Sequence, residues 1–387
     1  MPRFTDDERR SRLMSRHFGA LGDSIVEATT ALVGLHATDP VTPFLSLWAR
    51  CPGFVASDLE RELYQSRSLV RHLAMRRTLW VVAAEDLPIV QAAASDRVAA
   101  NEHRKLVGDL HKAEVTADGE QWLTTACSAV LRHLGTHGPL SSTELRAALT
   151  EIDGTYDPAP GKPWGGAVPV APRVLTVLSA RGEIVRGPND GPWTRSRPRW
   201  ALAEDWLGPQ APADEAFAAL TRRWLHTFGP ATAADVKWWF GTTLTATRKA
   251  LDDLGVVEVA LDCGPGYVLA DDLDDRPAAA PAAALLPGLD VTTMGWFDRD
   301  WYLGRHRDQV FDRNGNAGPT AWWNGRVVGG WYQDGDACVQ LQLLEDPGRD
   351  GRRELTRRAV ELTSWLDGLR VKPRFPSPLS KAGAATR

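Results

Sequence analysis

The sequence predicts an α+β chain of three tandem winged helix-turn-helix units followed by a small C-terminal β-barrel-like domain. Three observations predict it. One local grammar is written twice, at residues 137–145 and 228–236. A more diverged copy precedes both. Beyond residue 287 the texture changes to a Trp-, Gly- and Asn-rich stretch that alternates as strands do.

The two strong copies read His137-Gly-Pro-Leu-Ser-Ser-Thr-Glu-Leu145 and Phe228-Gly-Pro-Ala-Thr-Ala-Ala-Asp-Val236. Each places a hydroxyl residue at the same offset after Gly-Pro and an acid three positions later. Ser141 with Glu144, and Thr232 with Asp235, read as capping boxes that satisfy free backbone N–H groups at a helix start. Downstream, Leu175 and Leu178 lead to Gly182 and then Ile184-Val185, while Leu251 and Leu254 lead to Gly255 and then Val256-Val257. A leucine-striped helix stopping at Gly, with a β-branched strand at once after it, completes the order helix, turn, helix, strand. That order predicts winged helices over 116–208 and 209–275, a unit that commonly grips duplex DNA.

The front copy predicts a winged helix over 1–115. Asp39-Pro40 reads as an N-cap followed by Pro at the first helical position, opening a helix through Phe44, Leu47 and Trp48. Ser57-x-x-Glu60 reads as another capping box, and the helix behind it carries Leu59, Leu63 and Tyr64 toward a core. Residues 68–83 are rich in strand-favouring residues and Arg, as a wing would be. In an extended strand Arg71 and Arg77 share one face and Arg76 takes the other. Part of this set is therefore expected to reach phosphates and the remainder to pair with nearby acids. Arg195, Arg197 and Arg199, between Trp193 and Trp200, mark the second wing, read more readily as a solvated hairpin with Trp plugs in the core. The Pro- and Ala-rich run at 274–287 reads as a linker, 288–372 as the β domain with hairpin turns at Asn314-Gly315 and Asn324-Gly325 and one helix near 350–367, and 373–387 as an irregular tail.

Composition bounds the rest. At 387 residues with 43% hydrophobic and 24% charged residues, the chain has ample core for several globular domains. The first twenty residues lack an apolar run, so no secretory signal is expected, and no stretch approaches the ~20 apolar residues that span a bilayer. Cys51, Cys127, Cys263 and Cys338 lie far apart with no zinc-type spacing. They read as free thiols of a cytoplasmic protein, and no metal or other cofactor is expected. The net charge of −4 excludes a uniformly basic DNA binder. Acid is concentrated at 201–300, with 16 Asp and Glu against 7 Lys and Arg, so a DNA partner would be held by local basic faces.

Several segments carry a resemblance: Gly34-Leu-His-Ala-Thr-Asp-Pro40, Met75-Arg-Arg-Thr78, Phe228-Gly-Pro-Ala-Thr232 with Trp238-Trp239, Leu289-Asp-Val291, Gly318-Pro-Thr320, and Asn324-Gly-Arg-Val-Val-Gly-Gly-Trp331. Over nearly its whole length the chain resembles the AlkZ/YcaQ-like winged-helix DNA glycosylases and their bacterial relatives. The resemblance implies three winged helices and a barrel wrapping double-stranded DNA as a monomer. It also implies hydrolysis of the N-glycosidic bond of bulky or crosslinked N7-alkylpurines, without flipping the base. In the family's glycosylases Gln, an apolar residue, then Gln or Asp precede Asp-Pro; here the triplet is His36-Ala37-Thr38. Arg77 and Trp80 also stand where relatives often have Gly and His.

The chemistry assigns roles to these positions. A guanine alkylated at N7 is already cationic and leaves without a general acid. The reaction needs a placed water and relief of the oxocarbenium-like charge at C1′. A neutral His36 could accept a hydrogen bond or a proton from the water, Thr38 could orient it, and Asp39 could supply negative charge. The plainer readings are a capping or core-edge His, a turn Thr and an N-cap Asp. With a non-catalytic centre, the chain would be a regulatory or architectural winged-helix DNA-binding protein, or a clamp for another partner.

Overall fold

A computed structural model describes residues 1–19, 21–163, 165–209, 215–274 and 280–385. The fold is mixed α+β and divides into two compact units, one of residues 1–59 with 218–387 and the other of residues 60–217. Among the described residues no helix is long and apolar enough to cross a membrane. All four cysteines are free thiols.

In the first unit, helix Asp6–Phe18 starts at a capping box of Thr5 and Glu8. Arg12 and Arg16 on this helix both pair with Asp272, which pins it to the short turn Ala270–Asp272. Ahead of the helix, strand Arg3–Phe4 lies parallel to Val257–Leu261, which forms a hairpin with Gly264–Val268. Phe4, Val259, Leu261 and Val268 make the core of that sheet. The predicted Thr232–Asp235 capping box is present and starts helix Ala233–Phe240. Helix Leu244–Asp253 follows, and Gly255 at φ 59° turns the chain into the hairpin.

The β domain corrects two expectations. Its strands Ala283–Leu286, Thr320–Trp323, Arg326–Gln333 and Val339–Leu343 form one open antiparallel sheet in chain order, not a closed barrel. Four strands are too few to curl round and pair first with last. Helix Gly348–Leu366 packs on this sheet instead. The first strand also lies inside the stretch read as linker: Ala284, Leu285 and Leu286 are buried and pair with Trp322, Ala321 and Thr320. Small residues there fit under bulky aromatic neighbours. Residues 275–279 of the same stretch lie outside the described residues. Asn324 and Gly325, at φ 48° and 74°, form the expected two-residue hairpin turn. Trp296, Trp301, Trp322 and Trp331 are core residues.

The tail is a third correction. It ends in helix Pro378–Ala385, which packs on the sheet. Ser377 caps the turn, its hydroxyl accepting from the N–H of Ser380 at 3.3 Å. Two glycines make room for it. A Cβ on Gly318 would fall 2.3 Å from Ser377 Oγ, and one on Gly330 would fall 2.4 Å from Leu379 Cδ2. Residues 386 and 387 lie outside the described residues.

In the second unit, helices Asp96–Lys112, Gly119–His137 and Ala171–Ala180 enclose a core of Leu106, Leu123, Val130, Val174, Leu178 and Trp200, among others. The Ser141–Glu144 capping box is present, and Gly182 at φ 73° stops helix Ala171–Ala180 before strand Ile184–Asn189, as predicted. Strands Leu69–Ala74 and Thr78–Ala83 form the front hairpin. Ahead of it the chain leaves the first unit within helix Ala56–Tyr64, which begins two residues earlier than the Ser57–Glu60 box implies. The carboxylate of Asp58, not of Glu60, reaches back, accepting the N–H of Val55 at 3.0 Å.

One consequence is a loss of stability in acid. His17 in the first unit and His72 in the second are fully buried. Desolvation lowers their pKa values to about 3 and about 4, while an unfolded imidazole titrates near 6.5. Both are therefore neutral when folded, and only the unfolded chain takes up a proton just below pH 6.5. Their stabilisation is complete above pH 6.5 and falls away toward pH 4. At pH 5 each site has given up roughly 2 kcal/mol. Urea midpoints should fall between pH 7.5 and pH 5, and His17→Gln with His72→Gln should flatten the profile. A wild-type midpoint constant over that range would contradict this.

Candidate active site

Residues 36–39 are reached through a sharp reversal. Helix Ile25–Ala31, capped by Ser24, is followed by Val33 and Gly34, both at positive φ of 59° and 106°. The reversal leads into the two-residue strand Leu35–His36. His36 is 3% exposed and Asp39 4%, while Thr38 is half-buried. All three candidate residues thus share one short loop, and Thr38 is the one most open to solvent.

Asp39 does not cap the next helix. That helix is Thr42–Trp48, with Val41 in the cap position, no side-chain cap bond and Pro43 in the first turn. Pro43 lacks an N–H, which the first turn of a helix does not need, and its fixed φ is already helical. Asp39 instead closes a turn, its Oδ1 accepting from the Val41 N–H at 3.3 Å. Its Oδ2 accepts the backbone N–H of Arg374 at 2.8 Å, and the Arg374 guanidinium donates to the Thr38 carbonyl at 3.1 Å. Burial pushes the Asp39 carboxyl above its usual range, opposed by these N–H groups and the Arg374 charge.

Behind the loop, helix Thr42–Trp48 is held by polar contacts to residues 288–292. Thr42 Oγ1 donates to the Gly288 carbonyl at 2.7 Å, and Ser46 Oγ donates to Asp290 Oδ2 at 2.5 Å. Arg50 grips Asp290 through both carboxylate oxygens, at 2.9 and 2.7 Å, with both side chains 0% exposed. Arg50 also donates to Thr292 Oγ1 at 2.8 Å; because the Thr227 carbonyl takes the Nε2–H of the neutral His17 ring at 3.2 Å, Nδ1 is the acceptor and the Thr292 hydroxyl donates to it at 2.7 Å. The paired guanidinium and the surrounding N–H and O–H donors hold the Asp290 carboxyl below its usual range despite complete burial. This network fixes the helix that follows the candidate loop. Among the described residues no three His, Cys, Asp or Glu side chains gather as a metal site would.

The three wing arginines have different fates. Arg71 is buried and donates to the Tyr64 hydroxyl at 2.8 Å. Arg76 and Arg77 are not in a strand. They form the tip of the front hairpin, in the turn Met75–Arg77, at φ 54° and 61°. Thr78 Oγ1 donates to the Met75 carbonyl at 2.7 Å and accepts from the Trp80 indole at 2.9 Å, which holds the tight turn and breaks the two-residue alternation. Arg77 pairs through two bonds with Glu102, at 2.5 and 2.8 Å, yet its side chain stays 53% exposed. On the second hairpin, Arg199 pairs with Glu144 and Asp190, and Trp200 lies in the core. Arg195 and Arg197 are exposed in the connecting loop.

Comparison with known proteins decides the family. Residues 29–365 match the family described as DNA glycosylase AlkZ-like. The chain belongs to that family. It is similar to an interstrand DNA cross-link repair glycosylase of Streptomyces sahachiroi, 31% identical over 198 residues, which is 49% of this chain and 52% of that protein. The match thus spans about half the length of this curated relative. The fold is also similar to the solved Streptomyces sahachiroi DNA glycosylase AlkZ, with a TM-score of 0.70 at 20% identity, covering 96% of this chain and 99% of that one.

Within this AlkZ-like chain, sequence reading marked the loop 36–39 but missed what holds it. Arg374 lies 335 positions from Asp39, and Asp290 lies 240 from Arg50. The recurring segment Leu289-Asp-Val291 was the one available signal, without a partner attached to it.

Proposed function

We propose that this chain is a monofunctional DNA glycosylase that hydrolyses the N-glycosidic bond of bulky or crosslinked N7-alkylpurines in double-stranded DNA. The observation that carries the reading is the loop 36–39, at the family's Gln-rich position, which gathers an imidazole, a hydroxyl and a carboxylate in a chain matched to AlkZ-like glycosylases over residues 29–365. An N7-alkylated purine leaves as a neutral base, so the protein has to supply only a placed water and a stabilised sugar cation. His36 takes the hydrogen bond and then the proton of the water, and Thr38 orients it. Asp39, fastened by Val41 and Arg374, contributes charge toward C1′ without moving. No base-flipping pocket is required.

The three helix–helix–hairpin modules are read as winged helices on the duplex, and the chain as a monomer. Arg76 and Arg77 at the front hairpin tip, with exposed Arg195 and Arg197 on the second, are the phosphate contacts this reading favours. Arg71 is committed to Tyr64.

Duplexes carrying a small N7-methylguanine, a bulky N7-alkylguanine and an N7-linked interstrand crosslink test the proposal. Abasic sites should form from the bulky adduct and the crosslink. Salt-sensitive binding with no release from any lesion would replace the enzyme with a non-catalytic DNA binder.

A further inference from the structure

The loop that carries Thr38 and Asp39 is tied to the tail, and the tail lines a cleft. Asp312, Arg313, Asn314, Arg374, Phe375 and Lys381 line an open cleft of about 550 Å³ in the first unit. Three of these residues are cations. Arg313 and Lys381 are exposed, and neither side chain makes an ion pair or hydrogen bond among the described residues. Arg374 is exposed too; among the described residues its side chain hydrogen-bonds through Nη1 to the Thr38 carbonyl and its guanidinium lies over the Phe375 ring at 5.8 Å, so N–H groups of the fork remain for a ligand.

The acids nearby are occupied. Asp312 Oδ1 accepts the N–H groups of Asn314 and Asn316, at 2.8 and 2.9 Å, and its Oδ2 accepts the Asn316 side chain at 2.9 Å. Asp39 is buried behind Arg374. The cleft thus presents three cations against one anion whose acceptor oxygens are turned into its own loop. Such a surface suits a phosphodiester oxygen, which needs several charged donors around one point. The acidic balance of residues 201–300 makes a local basic cleft in this unit more telling.

We propose that this cleft binds a DNA backbone phosphate and so seats the duplex beside Thr38–Asp39. Arg374 belongs to both the cleft and the loop, so a phosphate held there is held in register with the candidate centre. The proposal rests on the glycosylase reading for its purpose, but its test does not.

The test measures binding of the full chain to an undamaged duplex oligonucleotide over a salt series, for wild type and the Arg313→Ala/Lys381→Ala double variant. Each lost phosphate contact removes about one unit from the slope of log K against log salt, so the double variant, which no longer holds the one phosphate of the cleft, should lose about one. Arg353→Ala serves as control. Its guanidinium is taken up by Asp350 and Glu354, and its slope should equal wild type. Because Arg313 and Lys381 are exposed, the double variant should keep the wild-type melting temperature. An unchanged slope in a folded double variant overturns the cleft. Loss of slope in a protein that releases no base leaves the cleft standing and removes the hydrolytic reading, so the two failures are separable.

Discussion

Asp290→Ala should destabilise the protein by about 3–5 kcal/mol, because it strands the Arg50 guanidinium as an unpaired charge in a fully buried site. The loss goes beyond one ion pair. Ser46 and the Thr292 N–H lose their acceptor, and helix Thr42–Trp48 loses one of its two polar ties to residues 288–292. The effect separates pairing from packing when a second variant is added. Arg50→Met with Asp290→Leu removes both charges at similar volume, and it should recover at least half of the loss, since buried pairs are often replaceable by apolar residues. Urea denaturation of the three proteins at pH 7.5 makes the comparison. A single-variant loss below about 1 kcal/mol would mean that the pair is far better solvated than its burial implies.

His36→Ala should slow base release from a bulky N7-alkylguanine duplex by about 10²–10⁴-fold at saturating enzyme, the usual range for removing a proton acceptor from the reacting water. Binding of undamaged duplex should hold within about 2-fold, since phosphates and not His36 carry the affinity. His36→Gln should fall less than His36→Ala, because a Gln carbonyl can still accept from a water. A rate limited by Asp39 alone would show neither the loss in His36→Ala nor the Gln rescue.

What the sequence revealed divides along physical lines. The capping boxes at Ser141–Glu144 and Thr232–Asp235 and the stops at Gly182 and Gly255 were legible because each is complete within four residues or depends on one φ. The front helix was misplaced because two overlapping registers, one ending at Asp58 and one at Glu60, fit the same spacing, and backbone geometry chose the first. Ala283–Leu286 passed for linker since small residues look alike in a coil and under an aromatic sheet. The wing arginines defied alternation because the hairpin tip takes two residues into the left-handed region. The loop 36–39 could be located by resemblance and residue chemistry. Its support could not, because Arg374 and Asp290 meet it or its neighbours only after hundreds of residues have folded together.

The most direct test of the hydrolytic centre is abasic-site formation in a single turnover, on one duplex with one bulky N7-alkylguanine, by wild type and His36→Ala at equal bound fraction. The account predicts rapid release by wild type and a loss of at least ~10²-fold in the variant. Equal rates in the two proteins, with both folded and both bound, would remove His36 from the chemistry and contradict it.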